Sequence, residues 1–147
     1  VEAVHISTKC SIAVHCLLFI NEYGGGRRVT SELLSLSTGC NPVVIRNIMS
    51  ALKKAGIISV KSGRGGAAIS CPLEQISLYR VCMAVEPDAL DKLMGIHSAP
   101  SPFCPVGRNI HGVLDASYEK IRGDLRASLQ SATLKEIVED YRRRTPK

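Results

Sequence analysis

At Gly56 the hydrophobic period of the chain changes, and few folds accommodate what lies on either side. Upstream, NPVVIRNIMSALKKA (41–55) repeats its apolar residues at threes and fours. Asn41 supplies an N-cap and Pro42 the first helical position, where proline's missing donor is not needed. Downstream, IISVK alternates, SGRGG turns, and AAIS returns before Pro72 ends it. The reading is an amphipathic helix that runs directly into a small hairpin with a cationic tip. Before it, VTSELLSLS forms a shorter helix, with Thr30 as N-cap and Glu32 in the first turn, and Gly39 breaks it. Two short helices joined across a Gly-containing turn make a helix-turn-helix, and the hairpin makes it winged.

Periodicity assigns Val44, Ile45, Ile48, Leu52 and Ala55 of the 41–55 helix to the core, and leaves Val43, Arg46, Asn47, Ser50, Lys53 and Lys54 elsewhere. That polar face, set between a Gly turn and a cationic hairpin, is shaped for a nucleic-acid groove. Arg46 offers a bidentate fork to guanine edges, and Asn47 a partner for adenine or phosphate. Lys61 and Arg64 of the hairpin suit the negative potential of a narrow minor groove. Thr8, Lys9, Ser50 and Lys54 are expected on the sugar-phosphate backbone. Charge agrees, because residues 1–72 hold 8 basic against 3 acidic side chains, and residues 73–147 hold 11 against 10. Gly63, Gly65 and Ala68 formally satisfy G-x-G-x-x-A, but Pro72 leaves no room for the helix that a dinucleotide site requires.

Upstream of the reading head, SIAVHCLLFI is too short to span a bilayer. Its residues Ile12, Ala13, Cys16, Leu17, Ile20 and Tyr23 follow a helical repeat, so it reads as a core helix capped by Ser7 or Thr8. After the hairpin, EQISLYRVCMAVE is expected to pack Ile76, Leu78, Val81, Cys82 and Val85 under the wing. Residues 87–105, with Pro87, Pro100, Pro102 and Pro105, read as a loop. From 106 to about 131 the apolar positions Ile110, Val113, Leu114, Ile121, Leu125 and Leu129 mark a helix of roughly 38 Å. That is longer than a small winged domain can cover, so a second copy of the chain is its expected partner. TLKE, from Thr133 to Glu136, is a capping box that opens a last helix with Leu134, Ile137, Val138 and Tyr141 inward.

The six cysteines, at 10, 16, 40, 71, 82 and 104, include no C-x-x-C pair, so neither a zinc finger nor a dithiol site is indicated, and reduced thiols in cytoplasm are expected. Cys10, Cys16 and Cys82 fall on core faces. Cys40 and Cys104 each precede a helix start, where N–H groups stabilise a thiolate, and they are the redox candidates. Cys104 with His97 or His111 lacks a third orienting group, so no enzymatic activity is expected.

STKCSIAVHCLLFI, LSTGCNPVVIRNIMSALKKAGIISVKSGRGG, PLEQISLYRV and CPVGRNI, in that order and followed by a long helix, resemble the Rrf2 family of bacterial winged-helix transcription regulators. CPVGRNI resembles a cluster-free branch. The resemblance covers essentially the whole chain and implies a homodimer joined through the long helix, with two reading helices in successive major grooves of a palindromic operator in double-stranded DNA. It also implies that Asn41 and Val43 face the groove. Arg46 stands where cluster-binding relatives place an acidic residue, and Lys61 where relatives carry Arg. Cluster-binding members have three connector cysteines; here there is only Cys104, with His97 and His111, so no cofactor is expected.

The expectation is therefore a mainly α fold. A winged helix-turn-helix domain with a two-stranded wing occupies 1–86, a Pro-rich connector 87–105, and a dimerisation helix plus C-terminal helix 106–147. The expected function is a dimeric, sequence-specific DNA-binding regulator, with a repressor's role and a thiol-based redox response. The alternatives are an iron-sulfur-dependent sensor and a dimeric interaction module that does not bind DNA.

Overall fold

The computed structural model describes residues 7–61 and 66–146, so Arg64 at the wing tip lies outside the described residues. In chain order the elements are α1 (Lys9–Tyr23), α2 (Ser31–Thr38), α3 (Pro42–Lys54), β1 (Ile58–Lys61), β2 (Gly66–Ile69), α4 (Leu78–Val85), α5 (Ala89–Leu93), α6 (Pro105–Ser131) and α7 (Leu134–Arg144). The fold is mainly α with an antiparallel two-stranded wing, in which Ile58 faces Ile69 and Lys61 faces Gly66. No helix among the described residues is long and apolar enough to cross a membrane.

Caps set the helix starts. The Thr30 hydroxyl accepts from Leu33 N–H, Asn41 Oδ1 from Val43 N–H, and Thr133 Oγ1 from Glu136 N–H, which satisfies donors that a helix cannot pair internally. Gly39 ends α2 at φ 73°, a left-handed geometry that a side chain resists, and this turn swings the chain into α3. Thr8 is the residue before α1 but makes no side-chain cap; Ser7 Oγ accepts from Lys9 N–H at 3.2 Å instead.

The core joins Leu17 and Ile20 of α1, Leu34 of α2, Ile45 and Leu52 of α3, Ile57, Ile76, Val81 of α4, and Leu134 and Val138 of α7. Two predicted core positions are exposed rather than buried, and Leu78, Cys82 and Tyr141 are only half-buried at the core's margin. Tyr23, at the last turn of α1, and Val44, at the edge of the α3 stripe, are both exposed, and Ala55 is half-buried at the α3 C-cap. The segment after the wing also differs from expectation. Leu73–Gln75 forms a 3₁₀ turn, and α4 begins only at Leu78, capped by Ser77, whose hydroxyl accepts from Arg80 N–H. It packs on α1, α3 and α6 rather than beneath the wing. Pairing of Leu78 N–H with Ala132 O, and of Leu134 N–H with Ile76 O, ties the entry of α4 to the junction of α6 and α7.

The 87–105 stretch, read as loop, contains α5. Leu90 is buried there and Lys92 bridges Asp88 at 3.0 Å one turn away, and the prolines at 87, 100, 102 and 105 all lie outside the helix. α6 runs for 27 residues with none buried. Ile110, Leu114 and Leu125 are half-buried, while Val113 and Ile121 are 65% and 42% exposed.

Candidate nucleic-acid interface

Because Ile45, Ile48 and Leu52 anchor one face of α3 in the core, the opposite face must project outward. Val43, Arg46, Asn47, Ser50 and Lys54 are all exposed, and their spacing of three and four residues gathers them along one side of the helix. Asn41, at the tip, commits its amide oxygen to the cap and keeps its NH₂ for an external acceptor. Arg46 Nη1 lies 3.9 Å from Glu32 Oε1, with both side chains more than half exposed. Such a pair is weak and exchangeable.

Between α2, α3 and the wing lies a cleft of ≈ 280 Å³ whose lining includes Arg28, Glu32, Arg46, Lys61 and Gly66. It brings Arg46 and Lys61, predicted separately from the helix and the hairpin, into one cationic hollow. Arg28 is an addition that the sequence reading missed. Its only local signal is the RR pair after GGG. What fixes it is non-local, for Val29 O accepts from Ala67 N–H at 3.2 Å, so the chain at 28–29 lies along β2. Gly66 makes this possible. Its φ is 62°, and a Cβ there would stand 2.8 Å from Arg28 Cγ, 2.9 Å from Val29 N and 3.0 Å from Val29 O.

On the other flank, Lys9 and Asn47 share a shallow hollow of ≈ 150 Å³ with Val44 and Val85, which sets the start of α1 beside the outward face of α3. Thr8 is exposed immediately before it. Cations therefore border that face on both sides, the arrangement that phosphate strands flanking a groove require.

The cysteines divide. Cys16 is buried, and burial pushes its thiol up to about 12; Cys10 is raised to about 12 by burial and by its contact with Cys82. Cys71, unremarkable in the sequence, receives Arg80 Nη1 at 3.4 Å. Cys40 is half-buried, and its Sγ lies 3.8 Å from Thr38 O rather than over the N–H groups of α3. Cys104 is exposed at the head of α6, where the N–H groups of Gly107 and Val106 hold its thiol below the ordinary range. His111 Nε2 sits 2.9 Å from His97 O. Among the described residues no three His, Cys, Asp or Glu side chains converge as metal ligands.

Known proteins carry the same pattern. The family model Rrf2, described as an iron-dependent transcriptional regulator, matches residues 6–140. YwnA of Bacillus subtilis (strain 168), named as an HTH-type transcriptional regulator, is 33% identical over 133 residues, covering 90% of this chain and 96% of that protein. A crystal structure described as that of a DNA-binding protein superposes with TM-score 0.70 at 31% identity, covering 88% of this chain and 97% of that one. T. potens IscR superposes with TM-score 0.71 over 99% of this chain and 93% of its own; at 18% identity that likeness concerns the fold alone.

Proposed function

The chain belongs to the Rrf2 family of transcriptional regulators, and from that premise we propose that it acts as a homodimer that reads a palindromic operator in double-stranded DNA and represses transcription there. One observation carries this reading: the exposed face of α3, with the Arg28–Arg46–Lys61 cleft on one flank and Lys9 on the other. Arg46 pairs with a guanine edge on leaving Glu32, Asn47 takes an adenine or a phosphate, and Val43 meets a thymine methyl. Asn41 reaches the groove through its free NH₂. Lys61, with Arg64, enters the minor groove. Thr8, Lys9, Ser50 and Lys54 hold the backbone, and Arg28 joins them.

The second copy follows from α6. Val113 and Ile121 are exposed, and Ile110, Leu114 and Leu125 only half-covered, so this strip is what a partner's α6 would bury. A two-fold dimer presents two α3 helices and reads an inverted repeat, with half-sites spaced by whole helical turns. In this arrangement residues 1–86 read DNA, 87–105 connect, and 106–147 dimerise.

The family description names iron, but the residues here do not fit a cluster. The connector region offers one thiol, Cys104, and the imidazoles of His97 and His111, whereas such clusters take about four ligands, mostly thiolates. The switch we propose is Cys104 itself. Its thiolate attacks a peroxide oxygen, the O–O bond breaks, hydroxide leaves, and a sulfenic acid forms at the head of the dimer helix. Cys40 is set aside because its thiol faces a carbonyl.

Selection of bound duplexes from a random pool, with reduced and peroxide-treated protein in parallel, tests the whole reading. An enriched inverted repeat, lost on oxidation by the parent and retained by Cys104→Ser, is expected. Failure to enrich any duplex at low salt, or a monomer in sedimentation at micromolar concentration, refutes it. Salt separates the interaction-module alternative, since binding through phosphates weakens steeply as salt rises.

A further inference from the structure

Behind the reading head, α1, α2 and α7 leave a second cleft, of ≈ 320 Å³, within the size range of small-molecule sites. Phe19 and Tyr23 form one wall, their ring centroids 5.1 Å apart, and Tyr141 closes the α7 side through a 2.8 Å hydrogen bond between its hydroxyl and that of Tyr23. On the α2 side His15 Nε2 meets Ser37 Oγ at 2.9 Å. The guanidinium of Arg27 stands 5.8 Å from the Tyr23 ring centroid and forms no ion pair among the described residues.

Charge selects the occupant. Glu22 also lines the cleft, but both of its oxygens are taken by Arg142, at 2.8 and 3.1 Å, so its charge is already answered. The hydrogen bond that the Tyr23 hydroxyl shares with Tyr141 holds the Tyr23 phenol above its usual range, so this wall stays neutral at physiological pH. What remains is an aromatic wall of two rings tilted 46° to each other, hydroxyl and imidazole groups, and one guanidinium without a carboxylate. A guanidinium fork matches a carboxylate bidentately, and a pair of tilted rings takes a planar ring by offset stacking on one and edge contact with the other.

We propose that this cleft binds a small planar aromatic carboxylate, with the ring against Phe19 and Tyr23 and the carboxylate on Arg27. The cleft runs from Ser37 of α2 to Tyr141 of α7, and the Tyr23–Tyr141 hydrogen bond crosses from α1 to α7, so an occupant that takes that hydrogen bond displaces α1 of the reading head relative to α7. That regulatory consequence rests on the DNA-reading proposal; the binding itself does not.

Isothermal titration of the full chain with benzoate and with benzamide, the same ring without the charge, tests the binding in the absence of DNA. One saturable benzoate site per chain is expected, with benzamide weaker by about tenfold or more. Arg27→Gln, an exposed position checked for folding by its thermal midpoint, should reduce benzoate to the level of benzamide. Equal affinities for the two probes, an unchanged benzoate affinity in folded Arg27→Gln, or no saturable benzoate binding would overturn the proposal. In a separate assay, altered duplex affinity under saturating benzoate is expected, and an unchanged affinity would overturn the coupling.

Discussion

Gly66→Ala tests how the wing is seated, because two separable effects act at that position. The φ of 62° costs an L-residue about 1–2 kcal/mol. The new Cβ would also lie 2.9 and 3.0 Å from backbone atoms of Val29. Arg28 Cγ, at 2.8 Å, belongs to a flexible side chain that swings aside; Val29 withdraws only by giving up the hydrogen bond from Ala67. Losing that bond or overpacking the contact adds about 1–2 kcal/mol. The total is about 2–4 kcal/mol. Gly39→Ala is the control, since φ there is 73° but nothing lies within 4 Å of a Cβ, so only the conformational cost applies. Urea unfolding followed by circular dichroism, at one protein concentration because association shifts apparent stability, should show Gly66→Ala losing about twice what Gly39→Ala loses. Equal losses would refute the claim that backbone packing against Val29 requires a glycine.

Arg46→Ala should cost about 1–3 kcal/mol on the operator and relax discrimination at one base pair, whereas Lys54→Ala weakens every duplex alike; paired titrations on operator and scrambled DNA separate the two. Arg28→Ala, at the residue absent from the sequence-based site, should lower duplex affinity and reduce the salt slope by about 1, measured by anisotropy across a salt series. Iodoacetamide labelling read by mass spectrometry at neutral pH should modify Cys104 first and Cys16 last. The depressed pKa of Cys104 means that its thiolate fraction is already present below the pH at which ordinary thiols ionise, and Cys16, raised to about 12, stays protonated throughout.

Where local chemistry decides structure, the chain is readable one residue at a time. Thr30, Asn41 and Thr133 each accept the N–H that a cap must take, and Gly39 adopts the left-handed turn its position demands. The change of period at Gly56 likewise marks the passage from α3 to the wing. Where position depends on distant partners, the reading falls short. Tyr23 and Val44 continue a helical stripe, but each lies at its end or edge and stays exposed, Tyr23 meeting α7 only at the rim through the Tyr141 hydroxyl. α5 was hidden because prolines on either side dominate the composition, although Asp88, Leu90 and Lys92 carry the local signal. Arg28 joins the site only because Val29 pairs with Ala67, a contact between segments nearly forty residues apart.

Arg80 shows how the reading helix and the long helix are mechanically joined. Its Nη2 donates to Ala55 O at 3.2 Å, at the C-terminal end of α3, where orphan carbonyls favour a cation, and its Nη1 reaches Cys71 Sγ and Gln75 O. Arg80 belongs to α4, which packs along α6 and is tied at its entry to the α6–α7 junction by the Leu78–Ala132 and Ile76–Leu134 hydrogen bonds. The end of α3 is thus pinned to the element that lies on α6, rather than to the loop that leads there. In the proposed dimer, any change in how the two α6 helices pack would carry α4, and with it α3, as one unit. Half-site spacing is set in that geometry by α6 packing, and Arg80→Leu should blur it. In the duplex selection, that variant should enrich half-sites with variable spacing while keeping the half-site sequence, and unchanged spacing would show that α3 is held in place without Arg80.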